Sequence, residues 1–178
     1  MLTVRDLADR LALWPRVVAA VERCCGRVTD DHLLERLGRI PVHGSRATSR
    51  LGCYVFRGTN PVCIRLQFAQ EAAQLAETFL HEVAHACEHL SEPRTLRRLA
   101  HGQRWQQWAL ALDIPPVSHG VSATLAALHQ RRRKLVAICQ RCNTPIYRVR
   151  RLNRRTRYIH PACGGALIAV PDDAGPAG

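Results

Sequence analysis

Residues 72–90 read AAQLAETFLHEVAHACEHL, an apolar, alanine-rich stretch that contains the pentapeptide HEVAH from His81 to His85. The composition predicts a helix, in which positions i and i+4 lie on one face, so both imidazoles can reach a single Zn²⁺. Glu82 then lies where a general base is needed to activate water. Because apolar residues surround the motif, we expect a mostly buried helix rather than two solvated histidines on a surface helix.

A catalytic zinc needs a third protein ligand, and the spacing excludes several kinds of site. His89 would lie about 12 Å along the helix from His81, too far to share one ion with it, so we expect it behind the site or at the surface. The metzincin pattern needs Gly and His where this chain has Glu88 and Ser91. A distant glutamate ligand, as in thermolysin-type sites, is excluded because no glutamate follows residue 92.

The remaining candidates for the third ligand are His101, His119, His129 and Asp113. We favour His101, because it directly precedes Gly102 and a helical stretch bearing two tryptophans, where a turn could bring a second helix across the first. The donor that would stabilise an oxyanion stays open among Arg104, His119 and Tyr54, since nothing in the spacing selects one of them.

Length and charge limit the class of protein. With 178 residues the chain is long enough for one domain of about 100 to 150 residues and a small module. The net charge is +12, with 25 arginines and one lysine, which favours polyanionic partners, nucleic acid before anionic membrane. No apolar run approaches a membrane span, and the first residues are charged. We therefore expect a cytoplasmic protein, nucleoid-associated if bacterial, with no membrane partner.

The rest of the first 130 residues alternates between helical and strand patterns. We expect one helix from Thr3, which forms a capping box with Asp6, to about residue 25, and a second over 31–37. A loop follows, and strands are expected at 51–57 and 62–68, with helices at about 103–112 and 121–130. The predicted fold is therefore α+β: a mainly helical, zincin-like core with a small sheet or hairpin, followed by a small β-rich zinc ribbon.

A second group of metal-type residues lies near the end of the chain. Two pairs, each spaced three residues apart, are separated by seventeen residues; they are Cys139 and Cys142, then His160 and Cys163. This spacing predicts a structural zinc site of the zinc-ribbon type, and the flanking segments have the character of short strands. Such a small module needs its metal to fold. The domains expected are thus 1–130, a basic ribbon at 131–170 and a flexible tail at 171–178.

The ribbon region is strongly basic. Residues 131–160 contain eleven cationic side chains and no acidic one. We therefore expect nucleic acid to bind through phosphate contacts, with Tyr147 and Tyr158 available to stack on bases. The residues predicted to make the phosphate contacts are Arg131, Arg132, Arg133, Lys134, Arg148, Arg150, Arg151, Arg154, Arg155 and Arg157.

HEVAH followed by the stretch HGQRW, from His101 to Trp105, resembles the signature of the SprT-like family of zinc metallopeptidases, as does the earlier strand containing Leu51-Gly52. The resemblance implies that His81, His85 and His101 bind a catalytic zinc, that Glu82 is the general base and acid, and that Trp105 is a packing residue. Members of this family often end in a ribbon with four cysteines, whereas here His160 stands in the third position.

Spartan-type members of this family degrade proteins crosslinked to DNA. The resemblance therefore implies one catalytic and one structural zinc, a protein substrate, and DNA, single-stranded or damaged, as a partner. The alternative is a non-catalytic zinc-containing protein that binds nucleic acid or acts in transcription. Glu82 is the discriminating residue, because a purely structural site needs no carboxylate between its two histidines.

Overall fold

The computed structural model of the chain describes residues 1–25, 31–91, 100–117 and 120–171, and it divides into two compact units, 1–125 and 126–178. The described residues form the expected α+β fold, with six helices and two three-stranded sheets. No described helix combines the length and the apolar character needed to cross a membrane.

The chain begins with two helices, α1 (Val4–Arg10) and α2 (Trp14–Cys25), where a single helix was predicted. That prediction was wrong, because Ala12 adopts a left-handed conformation with φ 55° between them. Pro15 in the first turn of α2 explains the break, since inside one long helix it would remove a hydrogen bond and clash with the carbonyl of Leu11. The capping box predicted for Thr3 and Asp6 is present at the start of α1. The next helix, α3 (Asp31–Gly38), matches its prediction.

The sheet of the first unit contains β1 (Val42–Gly44), β2 (Gly52–Arg57) and β3 (Asn60–Leu66), in the order β1-β3-β2. The predicted hairpin is β2 and β3, which pair antiparallel. The segment predicted as a loop contains β1, which pairs parallel to β3. A three-residue strand has too short a pattern to detect, and its pairing depends on a partner 22 residues further along the chain. Because β2 lies at the end of the order, one of its edges is not covered by another strand within the described residues.

The remaining described helices are α4 (Ala72–Ser91), α5 (Gln103–Ala111) and α6 (Ala123–Arg132). The first of them confirms the helix predicted around the HEVAH sequence. The core of the first unit lies between α1, α2, α3, α4, α5 and the sheet. Its largest fully buried side chains are Trp105, Phe79, Leu37, Ile64, Leu66, Leu80 and Leu112. Burial of Phe79 and Leu80 on α4 and of Trp105 on α5 packs these two helices together.

The second unit contains β4 (Lys134–Cys139), β5 (Pro145–Arg148) and β6 (Leu167–Ala169), in the antiparallel order β5-β4-β6. One of the flanking segments expected to form short strands, residues 157–160, makes only a single bridge, between Ile159 and Ala166. The unit begins inside α6, at residue 126, whereas the sequence placed the boundary after residue 130. Of the tail expected at 171–178, residues 172–178 lie outside the described part of the chain.

Candidate functional site

Three histidines meet between α4 and the loop that precedes α5. The Nε2 atom of His101 lies 3.0 Å from Nε2 of His81 and 3.1 Å from Nε2 of His85. This group contains neither Asp113 nor His129, and His119 lies outside the described residues. Among the candidates for the third ligand, the fold therefore brings His101 to the other two histidines, across fifteen residues of chain.

The backbone explains how His101 reaches α4. It has φ 63°, a left-handed conformation that a residue with a side chain adopts at a cost, and Gly102 follows as the N-cap of α5. The turn reverses the chain just before the helix begins. A strained backbone at a residue whose side chain joins such a group is typical of a functional position.

Trp105 forms the floor beneath the three histidines. Its ring centroid lies 4.6 Å from that of His81, 5.4 Å from that of His85 and 4.5 Å from that of His101. The side chain is fully buried, and its Nε1 atom has no hydrogen-bond partner within the described structure. The resemblance implied a packing role for Trp105. In the structure its indole packs against all three imidazole rings and so helps to fix their positions.

The chemistry of this group fits a zinc ion. A tetrahedral ion with Zn–N distances of about 2.0 to 2.1 Å separates its nitrogen ligands by about 3.3 Å, close to the two spacings that the histidines show. Burial, together with His81 and His101, lowers the pKa of His85 to about 3. The neutral imidazole, which is the form that binds a metal, is therefore favoured. Three nitrogen ligands also leave one tetrahedral position open.

Glu82 lies on the side of α4 that faces β2. Its carboxylate accepts a hydrogen bond from the backbone N–H of Tyr54 at 2.7 Å, and the residue is 6% exposed. Burial raises the pKa of Glu82 to about 7, although the Tyr54 N–H and the charge of Arg50 both lower it. A carboxyl with a pKa near neutrality can accept and return a proton, as a general base and acid must.

Two neighbours of Glu82 have roles that the motif itself does not reveal. A Cβ atom added to Gly52 would lie 2.7 Å from Oε1 of Glu82 and 2.8 Å from Cγ2 of Thr78, so any larger residue here would displace these side chains. The hydroxyl of Tyr54 lies 2.6 Å from Nδ1 of His89, and the oxyanion role considered for that hydroxyl has no support in this contact. The Leu51-Gly52 pair could have indicated the close approach of Gly52 to Glu82. No sequence signal indicated the contact between Tyr54 and His89.

Of the other two candidates for an oxyanion donor, Arg104 lies within the described residues. Arg104 is exposed and lines a cleft of about 480 Å³ together with Arg23, Cys24 and Trp108. His119 lies outside the described residues.

His89, expected behind the site or at the surface, is 8% exposed and belongs to the buried side of α4.

The second unit brings the four predicted ribbon residues together, with all ligand atoms within 4.8 Å of one another. The Sγ atom of Cys163 lies 3.4 Å from the Sγ atoms of both Cys139 and Cys142. Nδ1 of His160 lies 3.2 Å from Sγ of Cys142 and 3.3 Å from Sγ of Cys163. Three sulfurs and one nitrogen at such distances fit a closed tetrahedral zinc site.

Two local features support this second group. Hydrogen bonds from the side chain and backbone of Thr144 lower the pKa of the Cys142 thiol to about 6, which favours the thiolate that binds a metal. A Cβ atom at Gly165 would lie 2.6 Å from Cβ of Arg141 and 2.7 Å from Sγ of Cys139, so the second knuckle approaches the first closely. The region is thus a small Cys₃His group with the donors of a zinc-binding region.

The predicted nucleic-acid contacts all belong to this second unit and are all exposed: Arg131, Arg132, Arg133, Lys134, Arg148, Arg150, Arg151, Arg154, Arg155 and Arg157. Lys134 and Arg148 are directly opposite each other on β4 and β5. Like charges in that arrangement destabilise a sheet. The guanidinium of Arg148 also lies 5.9 Å from the ring of Tyr158.

Comparison with known proteins identifies the family of the chain. A family model described as the SprT-like family matches residues 22–124, and the chain belongs to this family. The matched segment includes α4, the loop with His101 and α5, and it ends before the ribbon. Neither the curated proteins nor the solved structures contain a significant match to this chain. Membership of the SprT-like family indicates an enzyme of the zinc metallopeptidase type.

Proposed function

We propose that the protein is a zinc-dependent peptidase whose first unit cleaves proteins bound or crosslinked to DNA. The observation that carries this proposal is the convergence of His81, His85 and His101 beside a buried Glu82. A purely structural site has no use for a carboxylate between its histidines, whereas a buried carboxyl whose pKa is raised to about 7 beside such a group is typical of a catalytic residue.

Each residue has a defined part in the reaction. His81, His85 and His101 would hold the zinc, which supplies Lewis-acid polarisation of the scissile carbonyl and acidifies water. The Glu82 carboxylate takes the proton of the attacking water and returns it to the amine that leaves. The N–H of Tyr54 keeps one carboxylate oxygen, Oε2, in a fixed place during both transfers. Trp105 holds the three rings in position from below.

The second part of the proposal is that the ribbon unit binds DNA, single-stranded or damaged, and so localises the peptidase. Support comes from the ten exposed cationic side chains and from the unfavourable pairing of Lys134 with Arg148, which a bound phosphate would relieve. The exposed ring of Tyr147 offers a surface for base stacking. Cys139, Cys142, His160 and Cys163 would hold a structural zinc that keeps this unit folded.

The experiment that tests the peptidase compares zinc-loaded wild type with Glu82→Gln on a protein bound to DNA, each with and without single-stranded DNA. We expect Glu82→Gln to retain the zinc of the wild type and to lose cleavage, including self-cleavage. Stimulation of the wild type by DNA would support the proposed partner. Cleavage that persists in Glu82→Gln would remove the proposed base.

The alternative function, a non-catalytic zinc protein that binds nucleic acid, gives a different result in the same assay. It requires tight DNA binding, zinc in both samples and no cleavage by either. The basic ribbon is the feature that favours this alternative, and Glu82 is the feature that opposes it.

A separate titration tests the DNA contacts. We expect the triple substitution of Arg150, Arg154 and Arg157 by Gln to weaken binding of single-stranded DNA and to reduce the slope of log K against log salt by about 2, since each phosphate contact contributes about 0.7. The matched control replaces Arg10, Arg36 and Arg39 of the first unit, which lowers the net charge equally. An equal loss in both triple variants would show that overall charge, and not the ribbon, attracts the DNA.

A further inference from the structure

One side of α4 carries three polar residues that face the hairpin of β2 and β3. At 100° per residue, Thr78, Glu82 and His89 fall within a narrow sector next to the one that holds His81 and His85. All three are buried, at 6%, 6% and 8% exposure. The helix therefore presents its zinc-type histidines on one side and a polar contact surface for β2 on the adjacent side.

The position of the proton on His89 follows from its two partners. Its Nε2 atom lies 3.1 Å from the backbone oxygen of Gly58, which can only accept a hydrogen bond, so Nε2 carries the proton. Nδ1 is then an acceptor in the neutral ring, and the Tyr54 hydroxyl 2.6 Å away is the donor. His89 thus fixes the Tyr54 side chain and the turn at the tip of the hairpin at the same time.

Tyr54 connects His89 to the proposed general base. Its side chain donates to His89 while its backbone N–H donates to Oε2 of Glu82. These two acceptors are about 10 Å apart along the axis of α4. One residue of β2 is therefore held at two points of the helix, and one of these points is the carboxylate that takes part in the chemistry.

The edge position of β2 makes the contact between Tyr54 and His89 important. Among the strands that the structure describes, β2 has a neighbour only on the β3 side. The N–H of Tyr54 points away from that neighbour, to Glu82, so no further strand fixes its direction. The direction of this N–H depends on how rigidly Tyr54 is held against α4, and the hydrogen bond to His89 holds its side chain there.

We propose that His89 is a positioning residue that acts through Tyr54 to orient the Glu82 carboxylate. The inference rests on the proposed peptidase function for its catalytic consequence, although the coupling itself is a property of the fold. Phe56, whose ring centroid lies 4.7 Å from that of His89, packs on the same imidazole but supplies none of these hydrogen bonds.

The test compares four variants of the full-length, zinc-loaded chain: His89→Leu, His89→Gln, Tyr54→Phe and the packing control Phe56→Leu. The first readout is the NMR resonance of the residue 54 amide, with Glu82→Gln as the reference for a weakened bond. We expect an upfield shift towards that reference in His89→Leu and in Tyr54→Phe. The position should be close to wild type in His89→Gln, which keeps a donor and an acceptor, and in Phe56→Leu.

The second readout is kinetic. We expect kcat to fall about tenfold in His89→Leu and Tyr54→Phe, the worth of one hydrogen bond, with KM nearly unchanged and partial recovery in His89→Gln. An unmoved residue 54 amide in His89→Leu, or an equal effect of Phe56→Leu on both readouts, would overturn the proposal. Absence of cleavage by the wild type would refute the peptidase function, while the NMR shifts would still decide the coupling.

Discussion

Gly52 of β2 lies directly against the carboxylate of Glu82, so closely that a Cβ atom at residue 52 would be 2.7 Å from Oε1. The same Cβ would be 2.8 Å from Cγ2 of Thr78, whose side chain is short and branched and has little freedom to move aside. Glu82 is therefore confined between the Gly52 backbone and the Tyr54 N–H. The strand β2 therefore determines where the carboxylate of the proposed base lies.

We predict that Gly52→Ala displaces Glu82 and reduces the rate of cleavage by about 10²-fold, because a shift of about 1 Å in a catalytic group has an effect of that size. The three atoms nearest to the new methyl group belong to Glu82 and Thr78 and none to the three histidines, so bound zinc should be retained. Cleavage assays and metal analysis of the same preparation check both expectations.

The matched control is Gly44→Ala on β1. A Cβ there would meet only the ring of Phe68, at the ordinary contact distance of 3.7 Å. Activity of Gly44→Ala should remain close to wild type. Comparable losses in the two variants would mean that the sheet as a whole, and not the fit of Gly52 to Glu82, determines the rate.

The two metal groups belong to different units, so we predict that they can be emptied separately. His101→Ala should lose the zinc of the first unit, since two histidines on one helix hold it weakly, and should retain the zinc of the ribbon. Cys139→Ser, which alters a fully buried thiol, should have the opposite effect. Zinc analysis of both variants measures the outcome. A loss of all zinc from either variant would contradict independent sites.

The sequence predicted the metal helix and its histidines well, because both depend on a periodicity contained within twenty residues. The break at Ala12 was missed because the apolar positions on both sides of it continue one helical pattern. The strand β1 was missed because its pairing partner Ile64 is distant in the sequence and the strand is only three residues long. Local patterns are visible in a sequence, whereas pairings between distant segments are not.

The same distinction applies within the site. Spacing left four candidates for the third ligand, and His101 could be favoured among them because it directly precedes Gly102 and a helical stretch with two tryptophans, which is a local pattern. The bonds that join Tyr54 to Glu82 and His89 have no counterpart in the sequence, since they link β2 to α4 across 28 and 35 residues. These contacts arise only when the hairpin packs against the helix.

Adjacent glycines in the ribbon provide a test of its metal geometry. Gly165→Ala should force Cys139 and Arg141 away from the second knuckle and release the ribbon zinc, because the added Cβ would lie 2.7 Å from the Cys139 sulfur. Gly164→Ala is the control: it has nothing within 4 Å but a φ of 68°, so it should cost only about 1 to 2 kcal/mol of strain and retain the zinc. Competition with a chromogenic chelator measures the affinity in both variants. Equal affinities would contradict the close approach.

Glu71, just before α4, provides a pH-dependent test of how the segment leading into α6 is held. Its Oε1 accepts a hydrogen bond from the backbone N–H of Thr124 at 2.9 Å. This bond and one from the Ser122 hydroxyl lower the pKa of Glu71 from 4.5 to about 2. A carboxyl whose pKa is lowered by folding stabilises the folded state above the unfolded value, and this contribution is lost as the pH falls from about 4.5 towards 2.

We therefore predict that Glu71→Gln lowers the urea midpoint of the first unit at pH 7 and that the difference from wild type shrinks below pH 4.5. The wild type and the variant have the same histidines and thiols, so loss of metal in acid affects both alike. Urea titrations at pH 7, 5 and 3 measure the difference. A gap that is constant from pH 7 to pH 3 would show that the effect of the substitution does not depend on ionisation of the Glu71 carboxyl, and that Glu71 does not hold the start of α6 through its charge.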